Sequence, residues 1–205
     1  MTSQRCIKPV MAGLLALALA ACSILPEAES LTIYRLPNSL VADGDAAMAD
    51  IPSLRINTPQ ASLALSGPRM LVNPQGDQLS TYKGARWSDP VPALVREHVA
   101  GAFAQRFSLS RISTDEHGLH ADVHLGSDLQ QFQVNYINGM PRATIELNAR
   151  LINPGTRQVI AAKSFLVEQT LADVQVPGVV SAFQLAADDL ASQLAEWVQS
   201  ELQEG

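Results

Sequence analysis

A single α/β domain of the α+β kind, with one mixed and mostly antiparallel sheet flanked by two main amphipathic helices, is the fold class that the sequence predicts. Three observations predict it. Apolar residues alternate at every second position in long runs between Leu119 and Val167. They recur every three to four positions in two segments, residues 89–107 and 181–198. These blocks follow one another as strands, helix, β-meander and helix, the order of a mixed layered domain.

Residues 1–21 must be set aside before the fold is read, because they have the pattern of an export signal. Arg5 and Lys8 supply a short positive stretch, and residues 10–21 then run uncharged through Met11, Leu14, Leu15, Leu17 and Leu19. Twelve apolar positions cannot cross a ~30 Å hydrocarbon core, which takes roughly 20 residues. The segment closes with Leu19-Ala20-Ala21-Cys22, which resembles the lipobox of bacterial lipoproteins. That resemblance implies a diacylglycerol on the Cys22 sulfur, cleavage between Ala21 and Cys22, and acylation of the new amine, with palmitate the expected chain. Several acyl chains at ~0.8 kcal/mol per buried methylene give lasting attachment. Ser23 stands where an Asp tends to mark retention at the inner membrane in such lipoproteins, so the resemblance implies an outer-membrane anchor facing the periplasm.

Processing also fixes the chemistry left over. Cys6 leaves with the signal and Cys22 carries lipid, so no thiol remains for a disulfide, a metal or a nucleophile. Loss of Arg5 and Lys8 makes a chain of net charge -6 more acidic still. An acidic surface without a basic run argues against nucleic acid as a partner and against direct attraction to lipid headgroups. The chain thus divides into a signal peptide at 1–21, a lipidated tether at 22–30, and one domain at 31–205 with a sizeable core.

Within that domain, Leu31-Thr32-Ile33-Tyr34-Arg35-Leu36 reads as a strand closed by Pro37, and 38–50 as a mobile surface loop. Short strands are expected at 54–56 and 70–72, and another at 79–87. Pro90 and Pro92 suit a first helical turn, with Ser88 or Asp89 as cap; Val91, Leu94, Val95, Val99, Ala102, Phe103 and Phe107 then give the apolar stripe. A strand begins at Leu119, bends at Gly126-Ser127-Asp128, and resumes out of phase through Phe132, Val134 and Tyr136. Asn138-Gly139 turns the chain into Ala143, Ile145, Leu147, Ala149 and Leu151, and Asn153-Pro154-Gly155 turns it into 159–167. Ile160-Ala161-Ala162 is apolar on both sides, as for a strand covered on two faces. Pro177-Gly178 precedes the last element, where Ser181 and Gln184 form a capping box and Phe183, Ala187, Leu190, Leu194, Trp197 and Val198 one stripe. A helix of about four to six turns should seal one face of the sheet.

Sequence motifs for catalysis are missing: there is no Gly-x-Ser-x-Gly elbow, phosphate-cradling loop or dinucleotide fingerprint. The densest polar group is His117, His120, Asp122 and His124. Alternation puts the last three on one strand face, but His120 and His124 would lie ~13 Å apart. A solvated polar face is the simpler account than a metal site. Arg86, Trp87 and Asp89 could form a catalytic constellation, yet Trp usually anchors a core or an interface. An apolar ligand groove between the last helix and the sheet is the remaining binding feature. No enzyme activity, metal or cofactor is expected.

Tyr82-Lys83-Gly84-Ala85-Arg86-Trp87-Ser88-Asp89-Pro90 and the helix that follows resemble the signature of the ABC-type transport auxiliary lipoproteins, partners of MCE-domain lipid transport systems. The lipobox, the strand at Tyr34-Arg35-Leu36 and the helix from Phe183 to Trp197 agree in order and spacing; residues 59–72 match only loosely. The resemblance implies a non-catalytic, outer-membrane-anchored component that docks an MCE-domain protein with its ABC permease and ATPase, and helps move phospholipid or another apolar molecule between membranes. Self-association into a homo-oligomer is compatible with that role. Tyr82, Arg86, Trp87, Asp89 and Pro90 carry the family motif, and Arg86, Trp87, Asp89 and Pro90 are read as a structural corner that sets the first long helix, ahead of direct partner contact. The alternative is a structural envelope lipoprotein acting as a protein-protein scaffold; a periplasmic hydrolase is a distant third.

Overall fold

Everything in the tertiary structure is arranged about one long strand. The structure, a computed structural model, describes residues 30–39 and 51–203. The expected signal segment, Cys22 and most of the expected 38–50 loop lie outside the described residues. The elements in chain order are β1 (Thr32–Tyr34), β2 (Leu54–Ile56), β3 (Gln60–Ala61), β4 (Arg69–Gln75), β5 (Gln78–Trp87), α1 (Val91–Arg106), β6 (Ile112–Thr114), β7 (Val123–Ile137), β8 (Met140–Asn153), β9 (Gln158–Thr170) and α2 (Val176–Gln203). Short 3-10 turns at Leu109–Arg111 and Asp115–His117 flank β6.

β7 pairs with β8 along nearly its whole length, antiparallel, and β8 pairs likewise with β9. On its other edge β7 takes three short parallel partners in succession: β2 beside Val123–Leu125, β3 beside Asp128 and Leu129, and β4 beside Gln133–Asn135. β5 joins β4 antiparallel, β1 joins β5 parallel, and β6 joins β2 parallel. The sheet is therefore mixed, with its long pairings antiparallel. Local chemistry sets the turns. Asn138 and Gly139 both have positive φ, 53° and 77°, as a tight two-residue hairpin loop requires. In the next turn the Asn153 side-chain oxygen accepts from the Gly155 and Thr156 amides at 2.9 and 3.1 Å.

The alternating residues Ala143, Ile145, Leu147, Ala149 and Leu151 are all buried and face the helices. α2 lies on β8 and β9 and against α1, and α1 reaches β2 and β6. Removing each large aliphatic side chain from water contributes ~1.5–3 kcal/mol, which is what holds a 28-residue helix to the sheet.

Five local expectations are corrected. The strand expected from Leu119 begins at Val123; Leu119 is 57% exposed, because β2 supplies no partner before Leu54, and Ser53 ends the pairing by bonding Asp122. Gly126-Ser127-Asp128 does not bend the chain; the change of phase is one bulge between Leu129 and Gln131 in a continuous strand. The strand at 159–167 is not covered twice, since β9 is an edge strand and Val159 and Ile160 are 54% and 46% exposed. Neither Ser88 nor Asp89 caps α1: Pro90 holds the cap position and no side chain caps it. Finally, the last helix begins five residues before Ser181, whose hydroxyl donates back to the Pro177 carbonyl inside the helix rather than capping it. Pro177 fits the first turn, where no amide is needed. A Cβ on Gly178 would collide with the Asp173 backbone, so only glycine permits that entry into the helix.

Candidate functional site

The motif residues form a corner where β5 hands over to α1. Trp87 is 1% exposed and its ring meets Phe132 of β7 edge-on at 5.9 Å and Phe183 of α2 at 5.6 Å. Phe132 and Phe183 stack on each other at 4.3 Å. Three aromatic rings from three elements thus lock the helix to the sheet, in the edge and offset arrangements their quadrupoles favour. This packing occupies the helix-sheet interface around Phe183.

Backbone bonds pin the same corner. The Trp87 amide donates to the Pro68 carbonyl at 2.8 Å and the Ser88 amide to the Tyr34 carbonyl at 2.7 Å. The Ala93 and Leu94 amides both donate to the Pro90 carbonyl, so the proline opens the first turn. The motif divides by exposure: Trp87 and Ala85 point into the core, whereas Arg86, Ser88, Asp89 and Pro90 are exposed. Tyr82 is half-buried, and burial, with Tyr136 nearby, pushes its phenol up to about 12.

The histidine-bearing stretch does not converge. Asp122 accepts from the Ser53 amide at 3.0 Å and hydroxyl at 2.6 Å, which hold its carboxyl below the usual range. His124 Nδ1 accepts from Arg55 Nη2 at 3.2 Å; partial burial first, then the Arg55 and His120 charges, lower its pKa. His117 Nδ1 is engaged by Thr114. Among the described residues no group of three or more His, Cys, Asp or Glu is placed to hold a metal ion. Cys22, the expected lipidation site, and Ala21, which precedes the expected cleavage, lie outside the described residues.

Two buried polar junctions were not foreseen. Arg96, on the inner side of α1 and 5% exposed, binds Glu97 at 2.7 Å, Asp115 at 3.1 Å, Glu116 at 2.6 Å and the Thr58 hydroxyl at 2.9 Å. His98 Nε2 meets Asp188 Oδ1 at 2.9 Å and joins α1 to α2. Both partners sit at helical positions that read as solvent-facing. Only the spacing of Arg96 one step after Val95 hinted that the buried stripe is wider than its apolar residues.

The family comparison agrees with this corner. Residues 34–195 match the family of ABC-type transport auxiliary lipoprotein components. A crystal structure of a Xanthomonas campestris protein of the DUF330 family is 25% identical, with a TM-score of 0.75 over 84% of this chain and 98% of that one. A second crystal structure, of an uncharacterized protein, is 15% identical, with a TM-score of 0.65 over 83% of this chain and 99% of that one, and shares the fold. No curated protein matches the chain. No described helix is long and apolar enough to cross a membrane. With the match running from β1 into α2, the chain belongs to the family of ABC-type transport auxiliary lipoprotein components.

Proposed function

We propose that this lipoprotein is an outer-membrane-anchored, periplasm-facing accessory of an MCE-type ABC transport system, and that it aids movement of phospholipid or another apolar molecule between membranes. The observation that carries the reading is the family match across 34–195, which spans the aromatic corner, all of α1 and most of α2. The domain acts as a binding surface without catalysis: acyl chains on Cys22 set its position, and the Trp87 corner gives a rigid helix-on-sheet body for docking. Its partners are an MCE-domain protein, the permease and the ATPase, with phospholipid as the cargo class. The experiment is in-membrane crosslinking of the native lipidated chain. Crosslinks to an MCE-domain protein or its permease are expected. Crosslinks confined to unrelated envelope proteins would replace this reading with that of a scaffold.

A further inference from the structure

Arg69 of β4 and Arg86 of β5 stand directly opposite each other. The Trp87 amide bonds the Pro68 carbonyl just beside them, so theirs is a non-hydrogen-bonded antiparallel pair, the kind with the closest Cα atoms, ~4.5 Å apart. Like charges so placed repel. Both side chains are exposed, and neither makes a hydrogen bond or ion pair with any described residue. In the next strand Ile33 of β1 is in register with Arg86 and is 54% exposed, and Leu31 just before β1 is 52% exposed. One sheet face therefore carries, side by side, an exposed apolar edge and two guanidinium groups with no carboxylate partner among the described residues. This occurs on a chain of net charge -6, whose overall field would repel an anionic surface.

We propose that this face rests on the anionic phospholipid headgroups of the membrane that holds the acyl chains, with Arg69 and Arg86 sharing headgroup phosphate and Ile33 and Leu31 entering the interface. The proposal rests on lipidation at Cys22. Guanidinium matches phosphate in a forked, two-bond geometry, and a shared anion converts the repulsion between the two arginines into attraction. Apolar side chains beside basic ones are the composition that binds at the headgroup boundary. Sequence reach allows it: eight residues lie between Cys22 and Leu31, so the nine steps of chain put the acyl attachment within about 30 Å of Leu31 at full extension. The exposed half of the family motif then has a task of its own, distinct from the buried Trp87.

The test uses the full lipidated chain in nanodiscs of phosphatidylcholine alone or with phosphatidylglycerol, and a gadolinium-chelating headgroup lipid as relaxing agent. A nitroxide at Ser88→Cys reports this face, and one at Ala162→Cys reports the other exposed apolar strand, β9. Strong relaxation of the Ser88 label, deepened by phosphatidylglycerol, with the Ala162 label spared, is expected. Each of Arg69→Gln and Arg86→Gln should lower the ratio of docked to undocked domain about fivefold. Arg86→Glu should reduce docking yet raise the melting temperature, because it places opposite charges across β4 and β5. A purely structural arginine would not move the two readouts in opposite directions. A chain anchored in both discs whose Ser88 label ignores phosphatidylglycerol, or whose Ala162 label is the one relaxed, overturns the face and leaves the anchor standing. A chain that neither enters phosphatidylcholine discs nor carries acyl mass overturns both. The wild-type comparison between lipids decides the matter even if a variant misfolds.

Discussion

Trp87 shows how much a single side chain can settle. Its indole touches a strand and a helix that follow it by 45 and 96 positions, Phe132 and Phe183. Trp87→Ala should cost about 3–5 kcal/mol, read as a lower urea midpoint, because a large aromatic leaves a cavity that fixed neighbours cannot close. Tyr82 gives a different reporter. Its phenol is pushed up to about 12, so the fold favours the neutral form. The stabilisation is present below the unfolded value near 10.0 and is lost as pH rises from there through about 12. Spectrophotometric titration should find one of the three tyrosines ionising last, and Tyr82→Phe should remove both that phase and the alkaline loss of stability. The prominence of Trp87 was legible in the sequence, as an aromatic before a proline-started helix. Its ring partners were not, since nothing local links position 87 to 132 and 183.

Among elements, α1 shows where periodicity misleads. Its apolar stripe correctly locates Val91, Val95, Val99 and Phe103 in the core, but Arg96 and His98 are buried as well. They are tolerated because each is paired, Arg96 with three carboxylates and His98 with Asp188. Burial alone would raise the Asp115 carboxyl, but hydrogen bonds from the Thr58 amide and hydroxyl and from Arg96 outweigh it and hold the carboxyl below 3.8. A lowered folded pKa contributes stability above the unfolded value, lost as pH falls through the folded one. Acid unfolding should therefore steepen below about pH 4, and Asp115→Asn should flatten that limb while lowering stability at neutral pH by ~1–3 kcal/mol. Denaturant melts across that pH range would show it. β9 misleads in the opposite sense: Ile160-Ala161-Ala162 reads as an interior strand, and the fold leaves it at the sheet edge. Strand content is a local property, whereas the number of neighbours depends on where the sheet stops.

For the whole molecule, position and fold are separate properties. Cys22→Ser should abolish acyl mass and membrane retention, yet leave the melting temperature of the domain unchanged, because Leu31–Gly205 is a compact unit by itself. Mass spectrometry and membrane fractionation with a thermal melt on the same preparation would test both halves. By itself the sequence determined the α+β class, the two helices, the hairpin at Asn138-Gly139 and the prominence of the Trp87 motif. Each is written in side-chain period, turn chemistry or a short contiguous motif, and these act over a few residues. Tertiary structure alone decided that β7 takes three short parallel partners on one edge, that Arg96 and His98 are buried, and that Arg69 faces Arg86. Those outcomes depend on which distant segments share the sheet, and register across strands is fixed by packing the whole core at once.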